Sequence, residues 1–289
     1  MKNGVTIRLL GGLGNQMFQY AAARAVSLRA GVPVLLDMSW FGTDPNRQYA
    51  LAPFAIQAEL LDKPDNPGNG LLARLFRRLG LARKTRGLPE FAEASFRYDP
   101  RIKALVPPIR LEGYFQSEKY FDDVRDRIAA EFVVRNPLSP PAARILEQIA
   151  QSDAICLHIR RGDYVSNPTA NAYHGTCSLD YYHAGLAMLV PALARPHCFV
   201  FSDDPQWVLE NFQPAVPMTL VDIHRADEAH EDLRLMAACH SYVIANSSLS
   251  WWGAWLGSRA GKRVIAPRQW FRQGDIDTSD LIPAAWERL

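Results

Sequence analysis

Ala154-Ile155-Cys156-Leu157-His158-Ile159-Arg160-Arg161-Gly162-Asp163-Tyr164 is an apolar run that stops abruptly at two arginines, a glycine and an aspartate. An apolar run of this length bounded by a turn signal predicts a buried parallel strand of an α/β sheet, and such sheets bind ligands outside the carboxyl ends of their strands. Arg160 and Arg161 sit at that end. A guanidinium presents a planar fork of donors that matches phosphate oxygens two at a time, so a pair of them suits a diphosphate. The same pair also suits structural carboxylates, Asp163 among them, and this stretch alone leaves both readings open.

Further strands are expected at Cys198 to Phe201, Met218 to Val221, Tyr242 to Ala245 and Arg263 to Ala266, with helical patterns between them. That alternation predicts a doubly wound sheet. Several of these strands run into polar residues, namely Ser202-Asp203-Asp204, Asp222 and Asn246-Ser247-Ser248, which argues for a shared crevice. Small hydroxyl residues between a strand and a helix suit phosphate, although Ser247 or Ser248 would equally serve as an N-cap. Trp251, Trp252 and Trp255 follow and read as core. Glu231 to His240 reads as a helix with Asp232 in its first turn, where helix-dipole stabilisation is the plain explanation of the acid.

Upstream, Val5 to Leu10 reads as a strand, Gly11 to Gln16 as a tight turn, and Met17 to Arg29 as a helix stopped by Gly31. Val32 to Asp37 then reads as a second strand. Glycines between a strand and a helix let backbone N–H groups approach an anion closely. Gly12-x-Gly14-x-x-Met17, with Asp37 downstream, is nearly a dinucleotide fingerprint, which raises a nicotinamide-dependent oxidoreductase as a rival function. Met17 spoils the pattern, because the third position needs a small residue for helix–strand packing. Leu111 to Phe121 combines a short strand with aromatics and hydrogen-bonding side chains, a surface that suits sugars, or else a strand end with structural tyrosines.

The closely spaced prolines of Asn136-Pro137-Leu138-Ser139-Pro140-Pro141 exclude regular structure and predict a domain junction, giving domains 1–138 and 139–289. With 289 residues, 48% of them hydrophobic and 21% charged, the chain can bury a sizeable core. Its net charge of +2 gives no case for nucleic acid. No run is long enough to span a membrane, no export signal is read at the N-terminus, and the four widely spaced cysteines are expected to be reduced, so a cytoplasmic protein is expected. Leu71 to Arg86 is expected to form a basic amphipathic helix, either packed with a solvated face or in peripheral contact with an anionic membrane.

Gly11-Gly12-Leu13-Gly14-Asn15-Gln16-Met17-Phe18-Gln19-Tyr20-Ala21, the His158 to Tyr164 element, Phe201-Ser202-Asp203-Asp204, and Ala245-Asn246-Ser247-Ser248 with Trp251-Trp252-Gly253-Ala254-Trp255-Leu256 together resemble the α-1,2-fucosyltransferases of glycosyltransferase family 11. The resemblance runs from about residue 5 to residue 267. It implies an α/β fold of the GT-B kind, two Rossmann-like domains with the nucleotide-sugar cleft between them, and inverting transfer of L-fucose from GDP-fucose to a galactose-containing glycan. By the same resemblance Arg160 grips the donor diphosphate, Ser247 and Ser248 bind phosphate, and His158 and Asp232 read guanine. Gly12, Gly14 and Asn15 approach from the N-terminal side; Asp163 is the first candidate for a catalytic base or else orients Arg160 or Arg161, and Asp37 is the second candidate base. Asp37, Tyr114 and Gln116 are candidate acceptor contacts. Asp203-Asp204 resembles a metal-binding D-x-D only loosely, so no metal or other cofactor is expected. A non-catalytic nucleotide-sugar or glycan-binding protein is the remaining alternative.

Overall fold

The structure, a computed structural model, describes residues 3–44, 47–61, 87–223 and 228–289. The expected helix of Leu71 to Arg86 lies outside the described residues, as does the side chain of Asp163. The first half contains β1 (Val5–Arg8), α1 (Leu13–Ala30), β2 (Val34–Asp37), β3 (Glu59–Leu60), β4 (Glu90–Ala92), β5 (Ile109–Glu112) and α2 (Arg125–Glu131). Its strands form one parallel sheet in the order β3-β2-β1-β5-β4. The second half contains α3 (Pro140–Ala150), β6 (Asp153–Ile159), α4 (Gly162–Ser166), α5 (Pro168–His174), α6 (Leu179–Leu189), β7 (Pro196–Ser202), α7 (Pro205–Asn211), β8 (Met218–Val221), α8 (Ala229–Ala238), β9 (Ser241–Val243), α9 (Ser248–Leu256), β10 (Arg263–Ala266) and β11 (Glu287–Arg288). Its sheet, again all parallel, has the order β11-β10-β9-β6-β7-β8.

Two parallel sheets with helical crossovers, facing each other across a cleft, are the GT-B-like α/β arrangement expected from the sequence. The opening run Ile155 to Ile159 is the buried heart of β6, flanked by β7 and β9. The sheets divide the chain between residues 112 and 153. Within that interval Ser139 caps α3 through its hydroxyl, with Pro140 at the first helical position, where its missing N–H costs nothing.

The glycine stretch differs from expectation. The turn is confined to Gly11 and Gly12, and α1 already begins at Leu13, so Gly14, Asn15 and Gln16 lie in its first turn. The helix ends on Gly31 in the left-handed region, as expected. Most of α1 is buried, and the reason is α9: Phe18 packs on Trp251 and Trp252 at ring centroid distances of 4.4 and 4.9 Å. The tryptophans are core, as read from the sequence, and bind segments together through their indole N–H groups. Trp251 donates to the Leu281 carbonyl, Trp252 to Gly14 and Trp255 to the Glu118 carboxylate. Two of those acceptors belong to the first half, so the aromatic stripe joins the halves as well as filling the core.

The rear of α1 is anchored by Glu131, whose buried carboxylate accepts hydrogen bonds from Arg24, Arg127 and the Tyr20 hydroxyl. Burial pushes this carboxyl up, but the Arg24 and Tyr20 hydrogen bonds and the Arg24 charge outweigh it and hold the group below its ordinary value of 4.5. The depressed value means that Glu131 stabilises the fold above that ordinary value and that the contribution is lost as pH falls through the lower folded value. Glu131→Gln is expected to cost about 3–5 kcal/mol at pH 7, since it strands the Arg24 charge against the core. Urea melts at pH 7 and pH 3 check this, the gap between wild type and variant narrowing in acid.

Candidate functional site

Strand β6 delivers Arg160 and Arg161 to the end of the second sheet, and neighbouring β7 decides what each does. The register pairs His158 with Phe201 and Ile159 with Ser202, which sets residues 160 and 161 beside Asp203 and Asp204. Arg160 Nη1 meets Asp203 Oδ2 at 2.8 Å, with its guanidinium 5.3 Å from the centre of the Tyr164 ring. Arg161 turns away, pairing with Asp204 at 3.0 Å and lying 3.8 Å over the Trp207 ring. A structural carboxylate partner of Arg161 is therefore Asp204. Gly162 permits the arrangement, because a Cβ there would sit 2.2 Å from Asp203 Oδ2. Arg160 lines the cleft between the sheets, whereas Arg161 does not.

Two helix N-termini meet in that cleft. The N-cap of α1 is Gly12, which offers no side-chain cap, and the first turn carries no acid. The N-cap of α9 is Ser247, whose hydroxyl likewise makes no capping bond. A Cβ on Gly14 would lie 2.5 Å from the Ser248 carbonyl carbon and 2.6 Å from the Leu249 nitrogen, so the two helix starts are in direct contact at a position only glycine fits. Their first N–H groups have no intrahelical partners and their dipoles add positive potential, which makes the junction a seat for an anion. Ser247, Ser248 and Arg160 complete it.

This packing also answers the dinucleotide reading. The third fingerprint position is a fully buried methionine, Met17, and the space above Gly14 is taken by the backbone of α9.

His158 and Asp232 line the same cleft as Arg160. His158 is 4% exposed, and its Nδ1 has no hydrogen-bond partner among the described residues. Burial pushes its pKa down to about 4, with Arg160 adding to the shift and Asp203 opposing it, so the ring is neutral at pH 7. Asp232 stands in the first turn of α8, as the sequence suggested.

Asp37 is placed elsewhere. It is 2% exposed at the end of β2, pairs with Arg110 at 2.6 Å and accepts the Ser39 N–H at 2.9 Å. Burial raises its carboxyl, but the Ser39 hydrogen bonds and the Arg110 charge prevail and hold it low. It is a strand-end anchor, and the cleft lining does not include it.

The opposite wall comes from the first half. Gln116 donates to the Asn15 side chain at 2.9 Å, and Tyr114 faces the cleft beside Phe96, whose ring is nearly parallel to it at 6.3 Å. The loop that carries them is held by Glu93, which accepts the Tyr114 and Phe115 N–H groups at 2.7 and 3.0 Å. That brace matters because Phe115 has φ of +54°, a costly conformation for an aromatic residue. Phe271, Tyr173 and His174 extend the aromatic wall from the second half. These three, with Phe96 and Arg47, were not singled out from the sequence.

The cleft measures about 950 Å³, near the upper end for small-molecule sites and wide enough for two substrates. Its lining brings together Gly12, Gly14, Asn15, Tyr114, Gln116, His158, Arg160, Asp232, Ser247 and Ser248. Among the described residues, no helix is long and apolar enough to cross a membrane.

A family model described as glycosyl transferase family 11 matches residues 105–277. The O-antigen biosynthesis glycosyltransferase WbnK of Escherichia coli is 32% identical, over 97% of this chain and 99% of that protein. An α-1,2-colitosyltransferase of Escherichia coli is 30% identical, over 99% of this chain and 98% of that protein. A galactoside 2-α-L-fucosyltransferase of Caenorhabditis elegans is 25% identical, over 99% of this chain and 79% of that protein. With its glycine turn, its arginine strand end and the helix that starts after Ser247 converging on one cleft, the chain belongs to glycosyl transferase family 11.

Proposed function

We propose that the protein is an inverting α-1,2-fucosyltransferase that moves L-fucose from GDP-fucose to a galactoside hydroxyl. The observation that carries this reading is the meeting of two uncapped helix N-termini beside Arg160, a seat for a diphosphate, with the neutral His158 and the Asp232 carboxylate alongside it to read a base. The fucose C1–O bond breaks with its electron pair passing to the phosphate oxygen, and C1 bonds to the acceptor oxygen from the opposite face. The acceptor proton passes to a base, for which Asp163 is our assignment. Arg160 and the helix termini stabilise the charge that builds on the leaving diphosphate. Acceptor binding falls to Tyr114, Gln116 and the neighbouring rings. A cytoplasmic enzyme acting on precursors of a surface polysaccharide accords with the O-antigen relative.

A second reading of the donor comes from the colitosyltransferase relative. Colitose is fucose without its 3-hydroxyl, so the two readings differ by one polar group. Supplying GDP-fucose and GDP-colitose separately with a galactoside panel distinguishes them. Faster transfer from GDP-fucose supports the proposal, and donor hydrolysis without transfer to any galactoside sinks it.

Two predictions arise here. Transfer is expected to persist in excess EDTA after dialysis, since the positive potential on the departing GDP comes from Arg160 and two helix ends. Complete loss restored by magnesium or manganese would contradict that. Asp232→Asn replaces an acceptor oxygen with a donor facing the guanine N1–H and amino group, so calorimetry is expected to show GDP binding weakened by about 1–3 kcal/mol.

A further inference from the structure

Gln16 is fully buried, and its amide is used at both ends. Nε2 donates to the Gly11 and Gln48 carbonyls, each at 2.9 Å, and Oε1 accepts the Ala50 N–H at 2.9 Å. A buried amide is costly unless paired, and the effect of this pairing is to fasten the loop at residues 48–50 to the first turn of α1. The residue entering that loop, Arg47, lines the cleft, with Nη1 3.7 Å from where a Cβ on Gly12 would lie. A guanidinium beside the positive end of a helix is a like-signed arrangement, which an anion seated between them turns into attraction.

We infer that Arg47 is a further ligand of the donor diphosphate, contacting the sugar-linked phosphate, and that Gln16 is its positioning residue. The inference rests on the nucleotide-diphosphate-sugar reading given above. Arg160 and α9 come from the second half, while Arg47 and α1 come from the first, so the diphosphate is held from both sides of the cleft. Arg47 stands on the side that carries Tyr114 and Gln116, where the acceptor enters and the breaking bond lies. A fork held there binds the departing phosphate more tightly as its charge grows.

GDP and GMP separate this role from a structural one, since only GDP carries the second phosphate. Calorimetry on Arg47→Ala is expected to show GDP binding weakened about 10–100-fold, the range for a charge-assisted hydrogen bond, with GMP binding within about twofold of wild type. Arg47→Lys is expected to fall between, and it stands in should the alanine variant not fold. Gln16→Met, which keeps the bulk but not the amide, is expected to reproduce the GDP-selective loss with Arg47 intact. Equal weakening of GDP and GMP, or unchanged GDP binding in Arg47→Ala, overturns the inference while leaving the donor reading standing. A wild-type protein that does not bind GDP overturns both.

Discussion

Arg160→Lys is expected to fold like the wild type and to lose about 10²–10³-fold in kcat, the usual effect of removing one preorganised donor from a developing oxyanion. The charge survives the substitution. The fork does not, because an ammonium is a hydrated point charge on a flexible stem. Asp203 holds the Arg160 guanidinium at 2.8 Å, and lysine can still pair with that carboxylate, so stability is expected to change little while the second contact to phosphate is lost. Arg161→Lys is the matched control. Its partners are Asp204 and the face of Trp207, both outside the cleft, so it is expected to cost about 0.5–1 kcal/mol of stability and little turnover. Steady-state kinetics and urea melts on the two variants decide the matter. Near wild-type kcat in Arg160→Lys with abolition in a folded Arg161→Lys would reverse the roles.

Gly14→Ala is expected to lower both stability and turnover, although it adds a single methyl group. That methyl would lie 2.5 Å from the Ser248 carbonyl carbon and 2.6 Å from the Leu249 nitrogen. Backbone cannot swing aside as a lysine tip can, so the starts of α1 and α9 must separate. Overpacking of this kind costs about 1–3 kcal/mol, and a displacement of an ångström between groups that share one anion costs about 10²-fold in rate. Both losses are expected together, read as a lower urea midpoint and a lower kcat in the folded variant. Gly12→Ala supplies the contrast in stability, because among the described residues its methyl meets only Arg47 Nη1, at an ordinary 3.7 Å. Equal stability of Gly14→Ala and wild type would mean that the contact between the helix starts does not constrain the site.

Much of this was legible in the chain because it is local. The apolar run into Arg160 is a strand whether or not its neighbours are known, and three of the later strands run into polar residues, Ser202-Asp203, Asp222 and Asn246-Ser247-Ser248, that the parallel order gathers into one crevice. The tryptophans read as core and are core. What sequence could not show depends on register. Asp203 and Asp204 looked like a loose metal motif, and only the pairing of Ile159 with Ser202 sets them beside the two arginines. Asp37 stands at a strand end like the site residues, yet Arg110 claims it, because the strand carrying that arginine lies across β1 in the same sheet. Gln16 reads as part of a turn, and one of its side-chain partners, Gly11, is in that turn, whereas the Gln48 and Ala50 partners lie on a loop more than thirty residues away. The strands β3, β4 and β11 are two or three residues long, too short for any period to reveal.

The most direct measurement is proton and carbon NMR of the product formed from GDP-β-L-fucose and a β-galactoside in the presence of EDTA. An α-linked fucose on O2 of the galactose is expected, with the anomeric configuration inverted relative to the donor. A β-linked product, attachment at another hydroxyl, or release of free fucose with no transfer would contradict it.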